Sequence, residues 1–435
     1  MMPYMSEHFK RRKPSAIRLA QIEFMKREDD VKAVNVAIGN VSLPMHRKMI
    51  ERMKSLGSKE SPFKDGQVMY TATVGLKETN DAFLNIISSS GFDTKGLYSQ
   101  ITDGGSQAME LVILGVCGAA GKDERPLLLI DAAYTNYVAL SERLGRKTIS
   151  ITRTLGDDGK FTLPDEKEIE NVIIKNKPGA VVVIPYDNPT GQFFDKELLV
   201  RLSRIFVKHN MWIISDEAYR ELFYVDKEAS SIWGVSETDV PGITGRRISI
   251  ETASKVWNAC GLRIGAIVTD NKEFHEKSVA ENTASLCPNI IGQWIFGSLA
   301  HESHKDLQRW YKLQRDYYSK MMRKLNDSFK KELPGIIISS PDASIYSVVD
   351  VRKIAKEGFD ALDFVMFCTQ KGKVRMGKEE LTLLVSPMAG FYSVAPGKEN
   401  PGKTQMRIAF VETPENMEKV PVLFKALFEE YESNR

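Results

Sequence analysis

The sequence has little of what a disulfide-bonded or metal-centred protein needs. Its 435 residues include only four cysteines, which lie far apart and form no Cys-x-x-Cys pair. This argues against a disulfide scaffold and a structural zinc site, and it favours the reducing cytoplasm as the location. The six histidines form no ligand cluster, since even the close pair His301 and His304 lies in a polar stretch. We therefore expect no catalytic metal ion.

The chain also lacks an excess of one charge and a segment suited to a bilayer. It carries 60 Lys+Arg against 57 Asp+Glu, a net charge of +3, so neither a nucleic-acid nor a membrane partner is implied. The longest uncharged run, residues 282–301, contains Pro288, Asn289 and Gln293 and is too polar for a span. We expect a buried loop and helix there. The first residues lack the apolar core of a secretory signal, so no export is expected.

What is present is an alternation of short apolar runs with segments of helical period. The length of the chain allows two or three domains around a sizeable core. Helical periods appear in residues 106–117 and 197–207. Brief apolar runs predict strands at residues 127–130, 181–185, 212–215, 248–251 and 266–268. This alternation predicts an α/β fold with a mostly parallel sheet flanked by helices.

The two ends of the chain differ from this middle. Residues 305–330 predict a charge-laced helix and residues 337–351 a strand, followed by another helix and two apolar runs. The first sixty residues carry no strong strand series, so we expect them to pack with the C-terminal part. The predicted division is a large domain, residues 61–325, and a smaller α+β domain formed by residues 1–60 and 326–435.

Polar side chains follow the predicted strands. In open α/β sheets, ligands bind outside the carboxyl ends of the strands, so these positions are the first candidates for a site. The segments are Asp187-Asn188-Pro189-Thr190-Gly191, Asp216-Glu217-Ala218-Tyr219, and Thr252-Ala253-Ser254-Lys255 with Arg263 eight residues further on. An amide, an acid, a phenol, a lysine and a guanidinium are therefore expected to converge.

This set of groups suits a cofactor that has an aldehyde and a pyridine ring. A lysine forms a Schiff base with an aldehyde, and Lys255 is the candidate. A buried carboxylate at a strand end keeps a pyridine nitrogen protonated and turns the ring into an electron sink, a role for which Asp216 is placed. Tyr219 and Asn188 are suited to hydrogen-bond a phenolic oxygen on the ring.

A phosphate on such a cofactor would find an anion site at residues 103–107. The segment Asp103-Gly104-Gly105-Ser106-Gln107 leads from a glycine turn into an apolar helix, whose free N–H groups and positive end attract anions. Thr252 and Arg263 add a hydroxyl and a guanidinium fork. The loop is neither Gly-x-Gly-x-x-Gly nor a Walker loop, so nicotinamide and nucleotide triphosphate binding lack their fingerprints.

Together these motifs resemble the class I/II aminotransferases, the fold type I enzymes that use pyridoxal 5′-phosphate and include aspartate aminotransferase. The resemblance covers roughly residues 35–410 and rests on motifs in the family's order. The motifs are Gly39 in Ile-Gly-Asn, Tyr70 in Tyr-Thr-Ala-Thr-Val-Gly, Gly105-Ser106-Gln107, Asn188-Pro-Thr-Gly, Asp216-Glu-Ala-Tyr219, Thr252-x-Ser-Lys255 with Gly261-Leu-Arg263-Ile-Gly265, and Arg407.

The resemblance implies which residues bind the cofactor. Lys255 would form the aldimine, Asp216 would pair with the pyridinium, and Tyr134 would stack on the ring, where the family often has Trp or Tyr after a proline. Asn188 and Tyr219 would hold the phenolate. The remaining cofactor contacts would come from Gly105, Ser106, Gln107, Thr252 and Arg263, with the phosphate on Ser106, Thr252 and Arg263.

The resemblance also implies a substrate site and a partner. Arg407 would clamp the α-carboxylate of the substrate, with Gly39 and Asn188 beside it. Tyr70 would reach the phosphate of the other subunit, which implies a homodimer with shared active sites. No second arginine matches a motif for a distal carboxylate, so aspartate, glutamate, aromatic and other amino donors all stay open.

The implied activity is transfer of an amino group from an amino acid to a 2-oxo acid by a ping-pong route. Lys255, displaced by the substrate amine, would serve as general base. Two alternatives share these motifs: a C–S lyase that uses the same cofactor for β-elimination, and a non-catalytic, ligand-sensing aminotransferase-like domain. Such sensors carry an appended DNA-binding module, for which this chain has neither the length nor a helix-turn-helix pattern.

Overall fold

Helices and strands alternate through the middle of the chain. The structure, a computed structural model, describes residues 3–395 and 397–435. The helices are α1 Glu7–Arg11, α2 Ala16–Phe24, α3 Arg47–Lys54, α4 Lys77–Ser89, α5 Gly104–Val116, α6 Asn136–Arg143, α7 Glu166–Asn176, α8 Lys196–Lys208, α9 Lys272–Asn282, α10 Ile290–Gly297, α11 His304–Glu332, α12 Ala361–Gln370 and α13 Pro414–Ser433.

The strands, numbered in chain order, belong to four sheets. They are β1 Lys32–Asn35, β2 Tyr98–Thr102, β3 Leu127–Asp131, β4 Thr148–Thr152, β5 Thr154–Leu155, β6 Phe161–Thr162, β7 Ala180–Val183, β8 Trp212–Asp216, β9 Arg247–Thr252, β10 Gly265–Thr269, β11 Ile337–Ile338, β12 Tyr346–Asp350, β13 Val374–Met376, β14 Glu379–Leu384, β15 Ser386–Pro387 and β16 Gln405–Ala409. The strands and helices predicted for the middle of the chain are confirmed, with small differences at their ends.

The central sheet has seven strands in the order β2-β10-β9-β8-β7-β3-β4. Five neighbouring strands of this sheet, β4, β3, β7, β8 and β9, run parallel. Successive residues of β3 enter different apolar clusters, since Leu128 belongs to one and Leu127 and Leu129 belong to the other. Parallel strands are covered on both faces, which explains why their sequences are continuous apolar runs. The α/β fold predicted from that pattern is confirmed.

One strand of the central sheet, β10, runs against both of its neighbours. Its first residue, Gly265, pairs with Thr102 of β2 and with Thr252 of β9, the last residues of those strands. A reversed strand begins at the edge where its neighbours end. Arg263 therefore lies beside Thr252 at the carboxyl edge of the sheet although it precedes its strand.

Helix α8 covers one face of this sheet through its apolar stripe. The helix begins after Asp195, whose carboxylate accepts a hydrogen bond from the Leu198 N–H at 2.9 Å. Leu202 and Phe206 are buried on the inner side of the helix, and Arg201 is exposed on the outer side. The period of 3.6 residues thus separates the core-facing side chains from the solvated ones.

The C-terminal part of the chain forms two smaller sheets, and the N-terminal strand β1 joins one of them. β1, which the apolar pattern did not predict, pairs in parallel with β14, from Lys32 opposite Leu381 to Asn35 opposite Leu384. The strand predicted at residues 337–351 is instead two antiparallel strands, β11 and β12, because Pro341 interrupts the run. β12 also pairs with β16, and these two strands bring C-terminal side chains to the central sheet.

The predicted charged helix is confirmed as α11, which spans 29 residues. Its buried face includes Tyr311, Leu325 and Phe329. Phe329 meets Phe424 of α13 with ring centroids 5.5 Å apart. Across residues 3–395 and 397–435, no helix combines the length and the apolarity needed to cross a membrane.

We expect Leu202→Ala to destabilise the protein. Leu202 is 2% exposed, and truncating such a residue removes apolar contacts and leaves a cavity, which costs about 2–5 kcal/mol. The thermal denaturation midpoint, followed by circular dichroism, should fall. Arg201→Ala, at the next position on the solvated side, is the control and should change stability by no more than about 0.5 kcal/mol. Equal midpoints for the two variants would contradict the packing described for α8.

Candidate active site

A cavity of about 410 Å³ opens at the carboxyl edge of the central sheet. Its walls come from the turns that follow β3, β7, β8 and β9, from the start of α5, and from β12 and β16. Of the site residues that the sequence predicts, those lining the cavity are Gly39, Gly105, Ser106, Tyr134, Asn188, Asp216, Tyr219, Thr252, Lys255, Arg263 and Arg407. Residues far apart in sequence are thus brought together in one place.

Lys255 follows β9, and its amine meets backbone from the N-terminal segment. Lys255 Nζ donates a hydrogen bond to the carbonyl oxygen of Gly39. A side chain at Gly39 would lie 3.2 Å from Lys255 Nζ and would collide with the Tyr346 hydroxyl. Only glycine allows the backbone to approach the lysine so closely. The Lys255 amine therefore has a neutral partner at the cavity wall.

Asp216, the last residue of β8, receives two hydrogen bonds from neutral donors. Tyr137 Oη donates to Asp216 Oδ2 at 2.5 Å, and the Ala218 N–H donates to Oδ1 at 3.0 Å. Burial raises the pKa of Asp216, while the two donors stabilise the ionised carboxylate and oppose that rise. Because both donors are uncharged, the negative charge of Asp216 stays available to a cationic partner.

Tyr137 is a site residue that the sequence pattern did not indicate. It lies in the first turn of α6, and its ring meets that of Tyr134 edge to face at 5.5 Å. Burial, followed by the charge of Asp216, raises the pKa of Tyr137 well above 10, so its hydroxyl retains the proton that it donates. Its position three residues after the predicted ring-stacking tyrosine is the one signal that could have identified it.

Asn188 and Arg407 meet inside the cavity. Arg407 Nη1 donates to Asn188 Oδ1 at 2.9 Å, and Nη2 donates to the Ala37 carbonyl at 2.7 Å. Arg407 is 3% exposed, and its Nε has no hydrogen-bond partner among the described residues. A buried guanidinium held by neutral acceptors favours an anionic ligand.

The turn that presents Asn188 is held by a buried ion pair. Arg153 Nη1 lies 3.1 Å from Asp187 Oδ2, and the Asp187 carboxylate also accepts from the Thr190 hydroxyl at 2.6 Å. Arg153 Nη2 donates to the Ala132 carbonyl at 2.6 Å, and Ala132 belongs to the same turn as the cavity residue Tyr134. One buried cation thus fixes two walls of the cavity.

Another part of the cavity is suited to an anion. Helix α5 begins at Gly104 with φ +80°, and a side chain there would collide with the guanidinium of Arg263. This close approach places Arg263 beside the free N–H groups of the first helical turn. Thr252 lines the same cavity and its hydroxyl donates to the Ser254 hydroxyl at 2.8 Å. Hydroxyls, N–H groups and a guanidinium together suit a phosphate.

Two predicted site residues, Gln107 and Tyr70, do not line the cavity. Gln107 Oε1 accepts from the Asp103 N–H at 2.7 Å, and Nε2 donates to Asn282 at 3.1 Å. Its side chain thus holds the loop in front of α5. Tyr70 is 80% exposed, beside Val68 and Met69, which are exposed as well. The roles predicted for Gln107 and Tyr70 stay predictions.

Two further residues of the cavity, Arg18 and Tyr346, were not indicated by the sequence. Arg18 is exposed near the start of α2, and Tyr346 is the first residue of β12. Neither follows a strand of the central sheet, so the carboxyl-edge rule does not select them. Only tertiary packing brings α2 and β12 to the cavity.

Comparison with known protein families assigns the chain. Residues 33–420 match the family described as aminotransferase class I and II. The chain belongs to this family. Class I and II aminotransferases use pyridoxal 5′-phosphate to move an amino group from an amino acid to a 2-oxo acid, and the predicted activity and cofactor are confirmed.

Individual aminotransferases are similar over most of the chain. An aspartate aminotransferase of Musicola paradisiaca is 22% identical over 345 residues, which cover 76% of this chain and 80% of that protein. A single mutant of Thermus thermophilus aspartate aminotransferase has a TM-score of 0.79 at 20% identity, covering 98% of this chain and 100% of that one. N-succinyldiaminopimelate aminotransferase of Mycobacterium tuberculosis has a TM-score of 0.80 at 17% identity, with coverages of 98% and 100%. At these identities the structural likeness establishes the fold.

The residues of this aminotransferase cavity fit pyridoxal 5′-phosphate. Lys255 offers an amine for the aldehyde, and Asp216 offers an anion for the pyridine nitrogen. At Gly104 the space that a side chain would fill is taken by the Arg263 guanidinium, which leaves a charged, backbone-lined site of the kind a phosphate needs. The donor set therefore matches each functional group of the cofactor.

We expect Tyr137→Phe to weaken cofactor binding, most strongly at low pH. The Tyr137 hydroxyl stabilises ionised Asp216, so its loss raises the pKa of Asp216 and leaves less carboxylate at a given pH. A hydrogen bond to a charged group contributes about 1.5–3 kcal/mol, which corresponds to a rise of about tenfold or more in the dissociation constant.

Fluorescence titration of the apoenzyme with pyridoxal 5′-phosphate, at pH values from about 5.5 to about 8, measures this effect. Tyr98→Phe, on the edge strand β2 and outside the cavity lining, is the matched control. If Tyr137→Phe binds the cofactor as tightly as the control at the lowest pH, the Tyr137 hydroxyl does not support Asp216.

Proposed function

We propose that this aminotransferase binds its cofactor through Lys255 and Asp216 and its substrate through Arg407. The observation that carries the proposal is that these three side chains line one cavity. The bound cofactor supplies an aldehyde for the lysine and an electron-withdrawing ring. Tyr134 lies against that ring, and Tyr219 and Asn188 hold its phenolic oxygen.

The phosphate of the cofactor binds where α5 begins. Gly105 contributes its backbone N–H, and Ser106 and Thr252 contribute hydroxyls. Arg263 adds a guanidinium that is fixed by its hydrogen bond to the Cys260 carbonyl at 2.9 Å. Because the helix end and the guanidinium both carry positive charge, this part of the cavity neutralises the phosphate.

Arg407 fixes the substrate by its α-carboxylate, so that the α-carbon faces Lys255. The lysine amine then acts as general base and takes the proton from that carbon. Amino acids and 2-oxo acids both carry a carboxylate next to the reacting carbon. One clamp therefore serves both half-reactions of a ping-pong cycle, and the buried Arg407 guanidinium, which is hydrogen-bonded to Asn188, is suited to that role.

We expect Lys255→Ala to lose amino-group transfer. Removing a general base costs about 10²–10⁴-fold in rate, and the attachment point of the cofactor is lost as well. The assay measures 2-oxo acid formed from a panel of amino donors with 2-oxoglutarate or pyruvate as acceptor. Lys272→Ala, an exposed lysine of α9, is the control and should keep the full rate.

Two outcomes of that assay would contradict the proposal. Full transfer activity in Lys255→Ala would show that another group is the base. Release of pyruvate and ammonia from cysteine-type donors by the unaltered protein, without amino transfer, would identify a C–S lyase instead.

We propose further that Arg18 selects amino donors that carry a second carboxylate. Arg18 lines the same cavity as Arg407, and its Nη1 donates to a neutral partner, Gln21, at 3.2 Å. An exposed guanidinium and a buried one in the walls of one cavity match the two negative charges of a dicarboxylic amino acid. The similar aspartate aminotransferases act on such a donor by name.

We expect Arg18→Met to raise KM for aspartate and glutamate by about tenfold, because one charge-assisted hydrogen bond is lost. KM for alanine and phenylalanine, which lack a second carboxylate, should not change. Arg11→Met, on α1 and outside the cavity lining, is the control. The same change in KM for both classes of donor, or no change for either, would remove Arg18 from the specificity site.

A homodimer with shared active sites is part of the proposal. Val68, Met69 and Tyr70 form an exposed segment in which two apolar side chains precede the tyrosine. Exposed apolar groups of this kind are more common at protein contacts than on free surfaces. In the dimer, Tyr70 of one subunit reaches the phosphate held by the other.

The domain division and the location of the protein stay predictions. The pairing of β1 with β14 supports a small domain built from residues 1–60 and 326–435 around the large domain of residues 61–325. The four cysteines, Cys117, Cys260, Cys287 and Cys368, are all unpaired. Free thiols accord with the proposed cytoplasmic location.

A further inference from the structure

Tyr346 lies where the four-stranded sheet β11-β12-β16-β15 meets the central sheet. It opens β12 opposite Ala409 of β16, two residues along from Arg407. It is 2% exposed, and its hydroxyl faces the cavity close to Gly39. A phenol in this position contacts the proposed cofactor-binding and substrate-binding groups at the same time.

The hydroxyl of Tyr346 is hydrogen-bonded to that of Tyr219. The two oxygens lie 2.8 Å apart in a buried environment, and the rings meet edge to face at 5.7 Å. A tyrosine hydroxyl has one proton to donate and two lone pairs to accept with. When Tyr219 donates its proton to the cofactor's phenolic oxygen, Tyr346 must be the donor in the pair.

The ring of Tyr346 supports the guanidinium of Arg407. The guanidinium carbon of Arg407 lies 4.4 Å from the centroid of Tyr346 and 5.3 Å from that of Phe391. Both hydrogen-bond acceptors of Arg407, Asn188 and Ala37, are neutral. The aromatic faces therefore stabilise a buried cation without consuming the charge that would bind a carboxylate.

We propose that Tyr346 is a positioning residue that links the cofactor-side donor Tyr219 to the substrate clamp Arg407. The inference rests on the proposed function of those two residues. Hydrogen bonds in series strengthen one another in a buried site, so the Tyr346 hydroxyl makes Tyr219 a better donor. The Tyr346 ring, independently, holds the Arg407 guanidinium in place.

Two substitutions separate these contributions. Tyr346→Phe removes the hydroxyl and keeps the ring, so the donor strength of Tyr219 falls while Arg407 remains supported. Tyr346→Leu removes both. Tyr317→Phe, on α11 and outside the cavity lining, is the matched control.

The first readout is the pH titration of the visible absorbance of the bound cofactor. The midpoint for Tyr346→Phe should shift in the same direction as for Tyr219→Phe, but by less. Tyr346→Phe should change nothing further in a protein that already carries Tyr219→Phe, since both act on one hydrogen bond. The titratable and charged groups that face Tyr219 are Tyr134, Tyr346 and Arg407, and Lys255 and Asp216 line the same cavity.

The second readout is KM in the transfer assay. Tyr346→Leu should raise KM about tenfold for every carboxylate substrate, whereas Tyr346→Phe should keep KM within about twofold. The inference would be overturned if Tyr346→Phe kept the titration midpoint of the unaltered protein, or if the two shifts added in the double variant. It would also be overturned if Tyr346→Phe and Tyr346→Leu had equal KM values. Failure of the proposed function is distinct, because Tyr219→Phe would then leave the titration midpoint unchanged and Arg407→Ala would leave KM unchanged.

Discussion

Parallel strands end at the same edge of a sheet, and this constraint determines where the chemistry of the protein lies. β7, β8 and β9 are neighbours in the central sheet. β8 ends at Asp216, and the turns that follow β7 and β9 carry Asn188 and Lys255. Backbone pairing holds adjacent strands about 4.8 Å apart, so these side chains become neighbours without having to recognise one another. β10 keeps the rule by running in reverse, since Arg263 precedes it and still lies at that edge.

The hydrogen-bond partners of a buried charged residue indicate whether its role is structural or functional. Arg153 is paired with Asp187, so its charge is neutralised within the fold. Arg407 has neutral hydrogen-bond acceptors and aromatic faces around it, which leave its charge to a ligand. Asp216 likewise accepts from a tyrosine hydroxyl and a backbone N–H. Burying a charge with neutral partners alone is costly, and binding of an oppositely charged ligand offsets that cost.

The same logic extends to the contacts between the two parts of the chain. Gly39 and Arg407 lie near opposite ends of the sequence, yet both line the cavity, where Gly39 accepts a hydrogen bond from Lys255. Tyr346 contacts both parts of the cavity: its hydroxyl is hydrogen-bonded to that of Tyr219, and its ring lies against the guanidinium of Arg407. The cavity is therefore complete only when the sheet that contains β12 and β16 packs on the central sheet.

Sequence patterns predict the central strands and the residues that follow them, because burial on both faces produces unbroken apolar runs and polar residues mark their ends. They do not reveal β1, which has only four residues and gains its stability from pairing with β14. They also miss Tyr137, Arg18 and Tyr346. Those side chains reach the cavity from helices and from a strand of another sheet, and no local period encodes that packing.

The central claim is that Lys255 is the residue that holds the cofactor. Reduction of the cofactor-loaded protein with borohydride, followed by proteolysis and mass spectrometry, tests it most directly. The pyridoxyl label is predicted on the peptide that contains Lys255. A label on any other lysine, or a fully loaded protein that carries no covalent label after reduction, would contradict the claim.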